Sequence, residues 1–194
     1  MSNNTYGFDQ DAALLKDSAR KFFSEKFPVE KLHELVAQDP TLGRVPQSLW
    51  LEELWQEITE LGWPMVAVPE SAGGLGMPAV AVAGLMEECG RAAIPSPMLS
   101  TLAATYVLAA ADAIESLADI CSGEAATLAI SGSRDAWDLA STEVTYNNGK
   151  LSGTSYYVQD VEKVQKILVI QGGSDPFGIS PKIAALVSLP VILF

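Results

Sequence analysis

Residues 68–77, VPESAGGLGM, form a glycine-rich loop whose composition could serve phosphate binding. Within it, GLGMPA at 74–79 matches the permissive GxGxxA form of the dinucleotide fingerprint, in which glycines let the backbone approach a pyrophosphate. The fingerprint also requires a strand before the loop and, about 20 residues later, an acid that ends a second strand.

The sequence around the loop does not meet these requirements. The preceding WPMVAVP is short and bounded by prolines, and IPSP at 94–97 carries no acid. No lysine follows the glycines, which excludes a P-loop. We therefore expect a tight connection between two helices, where glycine supplies conformations that other residues resist.

Few other residues suit catalysis. His33 is the only histidine, which excludes a histidine-based metal cluster and a hydrolytic triad with a histidine base. Cys89 and Cys121 form no spaced motif and suit buried, reduced thiols of a cytoplasmic protein, with a disulfide as the alternative. We predict no metal site.

Charge limits the partners. The 194 residues carry a net charge of −12, which disfavours binding to nucleic acids and to anionic lipids. The start, MSNNTYGFDQD, shows no secretory signal, and no segment is apolar for long enough to span a bilayer.

The elements that would position a site fall into two groups. Apolar residues recur at helical spacing from Phe8 to Phe22 and from Leu51 to Leu61, with Gly62 at a helix end and Trp50 and Trp55 as core anchors. AVAVAGLMEECGR at 79–91 and residues 98–122 also predict helices. From residue 125, TLAIS, EVTY, KLSGTSYYV and KILVI predict strands, with a hairpin turn at 147–149 and a second turn at 172–176.

The fold class is therefore α+β: an N-terminal all-α bundle in residues 1–123 and an incomplete β domain in 124–180. Residues 181–194, PKIAALVSLPVILF, form an atypical apolar tail that does not fit the continuation of this domain. We interpret the tail as the result of a shifted reading frame or a truncation near Pro181.

Two runs carry a family resemblance. LGWPMVAVPESAGGLGM and LMEECGRAAIPSPMLS resemble the N-terminal helical domain of acyl-CoA dehydrogenases. The matching motifs are Gly62-Trp63, Pro69-Glu70, Gly73 to Gly76, Glu87-Glu88 and Arg91. They agree in order and spacing, and the resemblance covers about residues 10–180. It implies that the β segment is part of an antiparallel barrel.

The resemblance implies a flavoprotein of fatty acid metabolism that oxidises the Cα–Cβ bond of an acyl-CoA. A carboxylate removes the α proton, and FAD accepts a hydride from the β carbon. The family's catalytic glutamate and oligomer interface lie in a C-terminal helical domain that is missing here, so we nominate no catalytic residue. Glu87 and Glu88 are expected to be surface or capping charges.

The same resemblance implies the flavin contacts. Leu128, Ile130 and Ser131 correspond to a flavin-binding strand, and Ser131 keeps a hydroxyl at a threonine position. Trp137 stands at the serine of a Gly-Ser-Asp motif. In the second element, SGTSYYVQ at 152–159, Tyr157 could stack on the isoalloxazine ring and Gln159 could donate a hydrogen bond. The alternative is that Tyr157 is an ordinary strand aromatic and Ser131 an ordinary surface hydroxyl.

Three functions remain open. The first is a truncated or divergent FAD-dependent acyl-CoA dehydrogenase that forms a homo- or hetero-oligomer and uses an electron-transfer acceptor. The second is a non-catalytic partner subunit of a heteromeric acyl-CoA dehydrogenase. The third, weaker one is an unrelated helical interaction domain joined to a small β domain.

Overall fold

The structure is a computed structural model, and it describes residues 7–37, 48–133, 142–148, 150–171 and 182–188. The N-terminal part is helical, as predicted. Its helices are α1 (Gln10–Lys26), α2 (Val29–Ala37), α3 (Glu52–Glu60), α4 (Ala79–Arg91), α5 (Met98–Ala110) and α6 (Ile114–Cys121), with 3₁₀ turns at Trp63–Met65 and Glu70–Ala72. IPSP separates α4 from α5.

Helix α1 shows how the sequence sets these elements. Asp9 caps it, because its carboxylate accepts a hydrogen bond of 2.8 Å from the amide of Ala12. Ala12, Ala19 and Phe23 are buried on one face, and α1 packs mainly against α4. Phe22, which we predicted in the stripe, is partly buried beside them.

Aromatic side chains hold the helical core together. The rings of Phe22, Phe23 and Trp63 lie 5.1–5.4 Å apart in edge-to-face contacts, and Trp50 and Trp55 are buried as predicted. Such pairs contribute about 0.5–1.5 kcal/mol each beyond their buried area. Gly62 ends the α3 segment with a φ of 74°, a left-handed conformation that favours glycine.

The strands form two small sheets. In the first, the order is β1 (Ala126–Ala129), β4 (Lys166–Gln171), β5 (Lys182–Ser188); in the second, β2 (Thr145–Asn147) pairs with β3 (Lys150–Ser152). The hairpin predicted at 147–149 is present, since Asn147 pairs with Lys150.

The predicted antiparallel barrel is not confirmed. β4 and β5 are antiparallel, but β1 and β4 run parallel, from Ala126 opposite Lys166 to Ala129 opposite Val169. The long connection 130–165 explains this difference, because a crossover of that length can return the chain in the same direction, whereas a short turn cannot.

The C-terminal segment also differs from expectation. Residues 182–188 of the predicted apolar tail form β5 and extend the sheet through β4. Residues 172–181 and 189–194 lie outside the described residues, and with them the second predicted turn. The proposed divisions 1–123, 124–180 and 181–194 stay predictions.

Candidate functional site

The glycine loop is not a phosphate cradle. The amides of Gly74, Leu75, Gly76 and Met77 donate to the carbonyls of Pro69, Met65, Val68 and Val66, at 2.8–3.1 Å. These four N–H groups are therefore occupied within the chain and cannot bind a phosphate. A Cβ at Gly74 would collide with the carbonyl of Val68, so glycine is required by the close approach of two backbone segments.

Neither cysteine is activated. Both are free thiols, and burial raises the pKa of the Cys89 thiol to about 12. His33 lies on the exposed side of α2. Within the part of the chain that the structure describes, no group of three or more His, Cys, Asp or Glu residues could hold a metal ion. No described helix has the length and apolarity needed to cross a membrane.

The two predicted flavin segments lie side by side. The amide of Tyr156 donates a 3.1 Å hydrogen bond to the carbonyl of Ser131, and the two residues form an isolated antiparallel bridge. The hydroxyl of Ser155 donates to the same carbonyl, also at 3.1 Å. Leu128 and Ile130 precede the bridge and are half-buried, whereas Ser131 is buried.

A third segment joins them. Both the amide and the hydroxyl of Ser133 donate to the carboxylate of Glu143. The backbone of Glu143 in turn lies against Gly153, where an added Cβ would collide with the Glu143 carbonyl. Glu143 thereby connects the end of the Ser131 segment to the start of the segment that carries Tyr157. Glu143 was not predicted, because no local sequence signal distinguishes it from other exposed glutamates.

Tyr157 has an unusual environment for a tyrosine. Its side chain is 73% exposed, and its φ of 53° lies in the left-handed region, which bulky residues rarely adopt. Its ring centroid is 6.5 Å from that of Tyr156. It lies outside the strands, so it is not an ordinary strand aromatic, and buried Ser131 is not a surface hydroxyl. Gln159 is exposed two residues further on, and Trp137 lies outside the described residues.

The helical part fixes the strand that leads to Ser131. The hydroxyl of Thr101 on α5, fully buried, accepts a 3.0 Å hydrogen bond from the amide of Ala126 and donates to its carbonyl at 3.2 Å. Because β4 pairs along the other edge of β1, both edges of this strand have polar partners.

Ion pairs attach the neighbouring strand, β4, to the helical part. The ammonium of Lys166, at the start of β4, lies 2.7 Å from the carboxylate of Asp119 on α6 and 3.2 Å from that of Glu124. Burial is the strongest single influence and would lower the pKa of Lys166, but the hydrogen bonds to these two carboxylates and their negative charges together raise it. Lys166 therefore stays charged and links the sheet to the helices.

The environment of Glu88 differs from the prediction. We expected a surface charge, yet Glu88 is fully buried between α1 and α4. Its carboxylate accepts hydrogen bonds from Arg20 (2.7 Å from Nη2) and Arg91 (2.5 Å from Nε). Hydrogen bonds from Arg20 outweigh burial and, with those from Arg91, lower the pKa of Glu88 to about 2. Glu87 is exposed, as expected, and pairs with Lys16.

The helical part matches a known domain. Residues 9–124 match the family model of the acyl-CoA dehydrogenase N-terminal domain. The chain belongs to the acyl-CoA dehydrogenase family. The resemblance stated from the motifs is confirmed. No protein of curated function is significantly similar to this acyl-CoA dehydrogenase family member in sequence.

Solved structures of the family share the fold. The chain is 28% identical to the G363A variant of the steroid acyl-CoA dehydrogenase Tcur3481-Tcur3483, with a TM-score of 0.73 over 92% of this chain and 48% of that one. It is 18% identical to the ChsE4-ChsE5 complex from Mycobacterium tuberculosis, with a TM-score of 0.70 over 94% and 48%. It is 15% identical to PigA, solved as an FAD complex, with a TM-score of 0.69 over 94% and 49%. The chain spans about half the length of these relatives.

Proposed function

We propose that this chain contributes the helical part and the flavin-facing segments of an FAD-dependent acyl-CoA dehydrogenase. The observation that carries the proposal is the backbone bridge between Ser131 and Tyr156, which joins the two segments predicted to contact the flavin. Family membership and a relative solved with FAD support the cofactor.

The residues present fit a flavin ring. The hydrogen bonds of Ser131 to Tyr156 and Ser155 use its backbone carbonyl, which leaves its side-chain hydroxyl for a polar ring edge. Tyr157 offers an exposed ring face on a backbone conformation that costs on the order of 1–3 kcal/mol and is concentrated at functional sites. Both features support a ligand at this position.

The chain's own residues would bind and orient the ring. When bound, FAD supplies the acceptor for a hydride from the β carbon of an acyl-CoA. Ser131 and Gln159 would donate hydrogen bonds to it, and Tyr157 would stack on it. Ile130 would make apolar contact, and Leu128, packed against the helical core, would hold the segment in place. A contact from Trp137 stays a prediction.

The proton-removing carboxylate stays unassigned. Family resemblance predicts it in a C-terminal helical domain, and the relatives are about twice as long as this chain. We therefore propose that residues 1–194 alone bind the cofactor without completing the oxidation. The acyl-CoA, the electron-transfer acceptor and a cytoplasmic location belong to the same proposal.

FAD titration of the purified chain tests the proposal. An excess of 100 times Kd would stabilise the chain by about 2.7 kcal/mol in a thermal melt. Tyr157→Ala removes a stacking contact of about 0.5–1.5 kcal/mol, so we expect Kd to rise about 2- to 12-fold. Tyr146→Ala is the matched control, because Tyr146 is an exposed tyrosine of β2, 45% accessible, outside the bridged segments.

The measurements are the quenching of flavin fluorescence and the shift in melting temperature. A melt that FAD does not move would contradict flavin binding by this chain. Equal losses for the two tyrosine variants would contradict the assignment of Tyr157.

A second candidate is a partner subunit of a heteromeric acyl-CoA dehydrogenase. Helix α5, MLSTLAATYVLAA, carries no charged residue, yet Leu99 and Tyr106 are 55% and 45% exposed. A helix without charged residues that exposes a leucine and a tyrosine favours burial of that exposed face against another protein surface. Relatives described as two-component assemblies support this candidate.

The two candidate functions predict different absorption spectra for the purified chain. A chain that purifies with a flavin spectrum and bleaches with acyl-CoA would contradict the second candidate. A chain that is colourless alone and gains the flavin spectrum with a second acyl-CoA dehydrogenase chain supports it. In that case Tyr106→Lys should abolish the gain, because it introduces a charge into the covered face of α5.

A further inference from the structure

The segment 156–164, which carries two of the proposed flavin contacts, has a strained backbone. Tyr157 and Asp160 both have a φ of 53°, in the left-handed region that non-glycine residues rarely adopt. Such conformations persist only where the surrounding structure holds them in place. The segment therefore needs fixed attachments on both sides of these two residues.

Hydrogen bonds close the backbone at both ends of the segment. At its start, the amide of Tyr156 donates to the carbonyl of Ser131 across the isolated bridge. At its end, the amides of Lys163 and Val164 donate to the carbonyl of Asp160, at 2.9 and 3.1 Å, and form a tight turn. The first contact joins two parts of the candidate site, whereas the turn joins the segment only to itself.

The side chain of Lys163 attaches the end of the segment to the helical part. Its ammonium donates a 2.5 Å hydrogen bond to the carbonyl of Trp50, which precedes α3. The same ammonium lies 4.5 Å from the centroid of the Trp50 ring, a cation–π contact. Trp50 is a rigid support, because it is 2% exposed and its ring lies 6.2 Å from that of Trp55. Lys163 thus contacts both the backbone and the ring of one buried residue.

We propose that Lys163 is a positioning residue of the flavin site, which it serves by fixing the end of this segment to Trp50. The inference rests on the proposed function, since Tyr157 and Gln159 are the flavin contacts that the segment presents. Val158 between them is partly buried and packs against the helical core, whereas its two neighbours are exposed. The core and Lys163 together hold the backbone that directs these two side chains outward. Without the ammonium, the segment can leave its left-handed conformation.

Lys163→Met tests the proposal, because methionine keeps the apolar stem and lacks the ammonium. We expect the Kd of the full chain for FAD to rise about 2- to 30-fold, since a cation–π contact is lost. At saturating FAD, the fluorescence of the bound flavin should also rise, because Tyr157 no longer stacks on the ring and quenches it. A loss of overall stability alone would lower the melting temperature and leave this quenching unchanged.

Two further variants make the comparison specific. Lys150→Met, on the exposed strand β3, is the matched control and should change neither affinity nor quenching. Lys163→Arg should bind FAD within about two-fold of the unaltered chain, because a guanidinium also donates hydrogen bonds and stacks on aromatic rings.

Hydrogen exchange of the chain without FAD gives a readout that does not depend on the cofactor. Peptides from residues 156–164 should exchange faster in Lys163→Met than in the unaltered chain, whereas peptides from α1 should not. If the unaltered chain binds no FAD, the proposed function fails, and this difference in exchange still supports the attachment by Lys163.

Other outcomes overturn the role of Lys163 and leave the proposed function intact. One is that Lys163→Met binds FAD and quenches its fluorescence as the unaltered chain does. Another is that Lys163→Arg binds FAD no better than Lys163→Met. Equal exchange of residues 156–164 in Lys163→Met and in the unaltered chain would also overturn it.

Discussion

Replacing Glu88 by glutamine removes the negative charge that lies between two arginines while it keeps the shape of the side chain. Arg20 lies on α1, whereas Glu88 and Arg91 lie on α4. The ion pair between Glu88 and Arg20 therefore links the two helices. The carboxylate is fully buried, whereas both arginine side chains are about half exposed. After the substitution the arginines can regain water, but the contact between the helices loses the attraction between opposite charges and one of the two acceptor oxygens.

The magnitude follows from the pKa of Glu88. A fall from 4.5 to about 2 corresponds to about 3 kcal/mol, at about 1.36 kcal/mol per pKa unit. Because the two guanidinium groups are half exposed, water screens the interaction, and we expect about 1–2 kcal/mol of stability to depend on it. The pKa is lower in the folded state, so this stability is complete above pH 4.5 and is lost as the pH falls towards 2.

Urea unfolding at a series of pH values measures this effect. At pH 7, Glu88→Gln should lower the free energy of unfolding by about 1–2 kcal/mol, and the difference from the unaltered chain should shrink between pH 4.5 and 2. Glu87→Gln is the control, since Glu87 is exposed and should change stability by less than about 0.5 kcal/mol. A Glu88→Gln difference that stays constant down to pH 2 would refute the argument.

Three further changes test the packing by the same urea measurement. Gly74→Ala should cost about 2–4 kcal/mol, because its Cβ would meet a backbone carbonyl that cannot move aside. Gly90→Ala, in α4, has open space at its Cβ and should stabilise by about 0.5–1 kcal/mol. Thr101→Val should cost about 1–3 kcal/mol, since it removes both hydrogen bonds to Ala126, whereas Thr105→Val should cost about 1 kcal/mol or less because it loses one bond within its own helix.

Periodicity predicted the helical part well. The stripe of α1 identified its buried face, and Gly62 identified a helix end, because these signals act over a few neighbouring residues. In α3, Leu54 and Ile58 of the predicted stripe are buried, whereas Leu51 and Leu61, which flank the helix, are 41% and 48% exposed. The hairpin at Asn147 and Lys150 was likewise predicted from local turn chemistry.

The failures concern contacts that are distant in sequence. The parallel pairing of β1 with β4 joins segments on either side of the connection 130–165, and no local pattern distinguishes parallel from antiparallel partners. Residues 182–188 were not predicted as a strand, because their apolar run has no alternation. The burial of Glu88 depends on Arg20 across the interface between α1 and α4, and composition alone marks both as surface residues.

In the candidate site, too, the separate motifs were predictable from the sequence, whereas the contacts between them were not. Resemblance predicted Ser131 and Tyr157 in separate motifs, and the structure brings those motifs together through Tyr156. The role of Glu143 and the left-handed backbone of Tyr157 have no signal in the sequence. Both depend on how three segments meet in space.

The strands that carry the candidate site pack directly against the helices. One apolar core cluster contains Phe23 and Ile58 of the helical part together with Ala129 and Ile167 of the sheet, so the packing continues across residues 123 and 124. The indole of Trp55 donates a 2.9 Å hydrogen bond to the carbonyl of Gly123, at the point where the chain changes from helix to strand. Because β1 is fixed by α5 and leads within two residues to the bridge, the helical part sets the position of Ser131, which we propose as a flavin contact. A change on α5 that loosens β1 should therefore weaken cofactor binding even though it touches no predicted flavin contact.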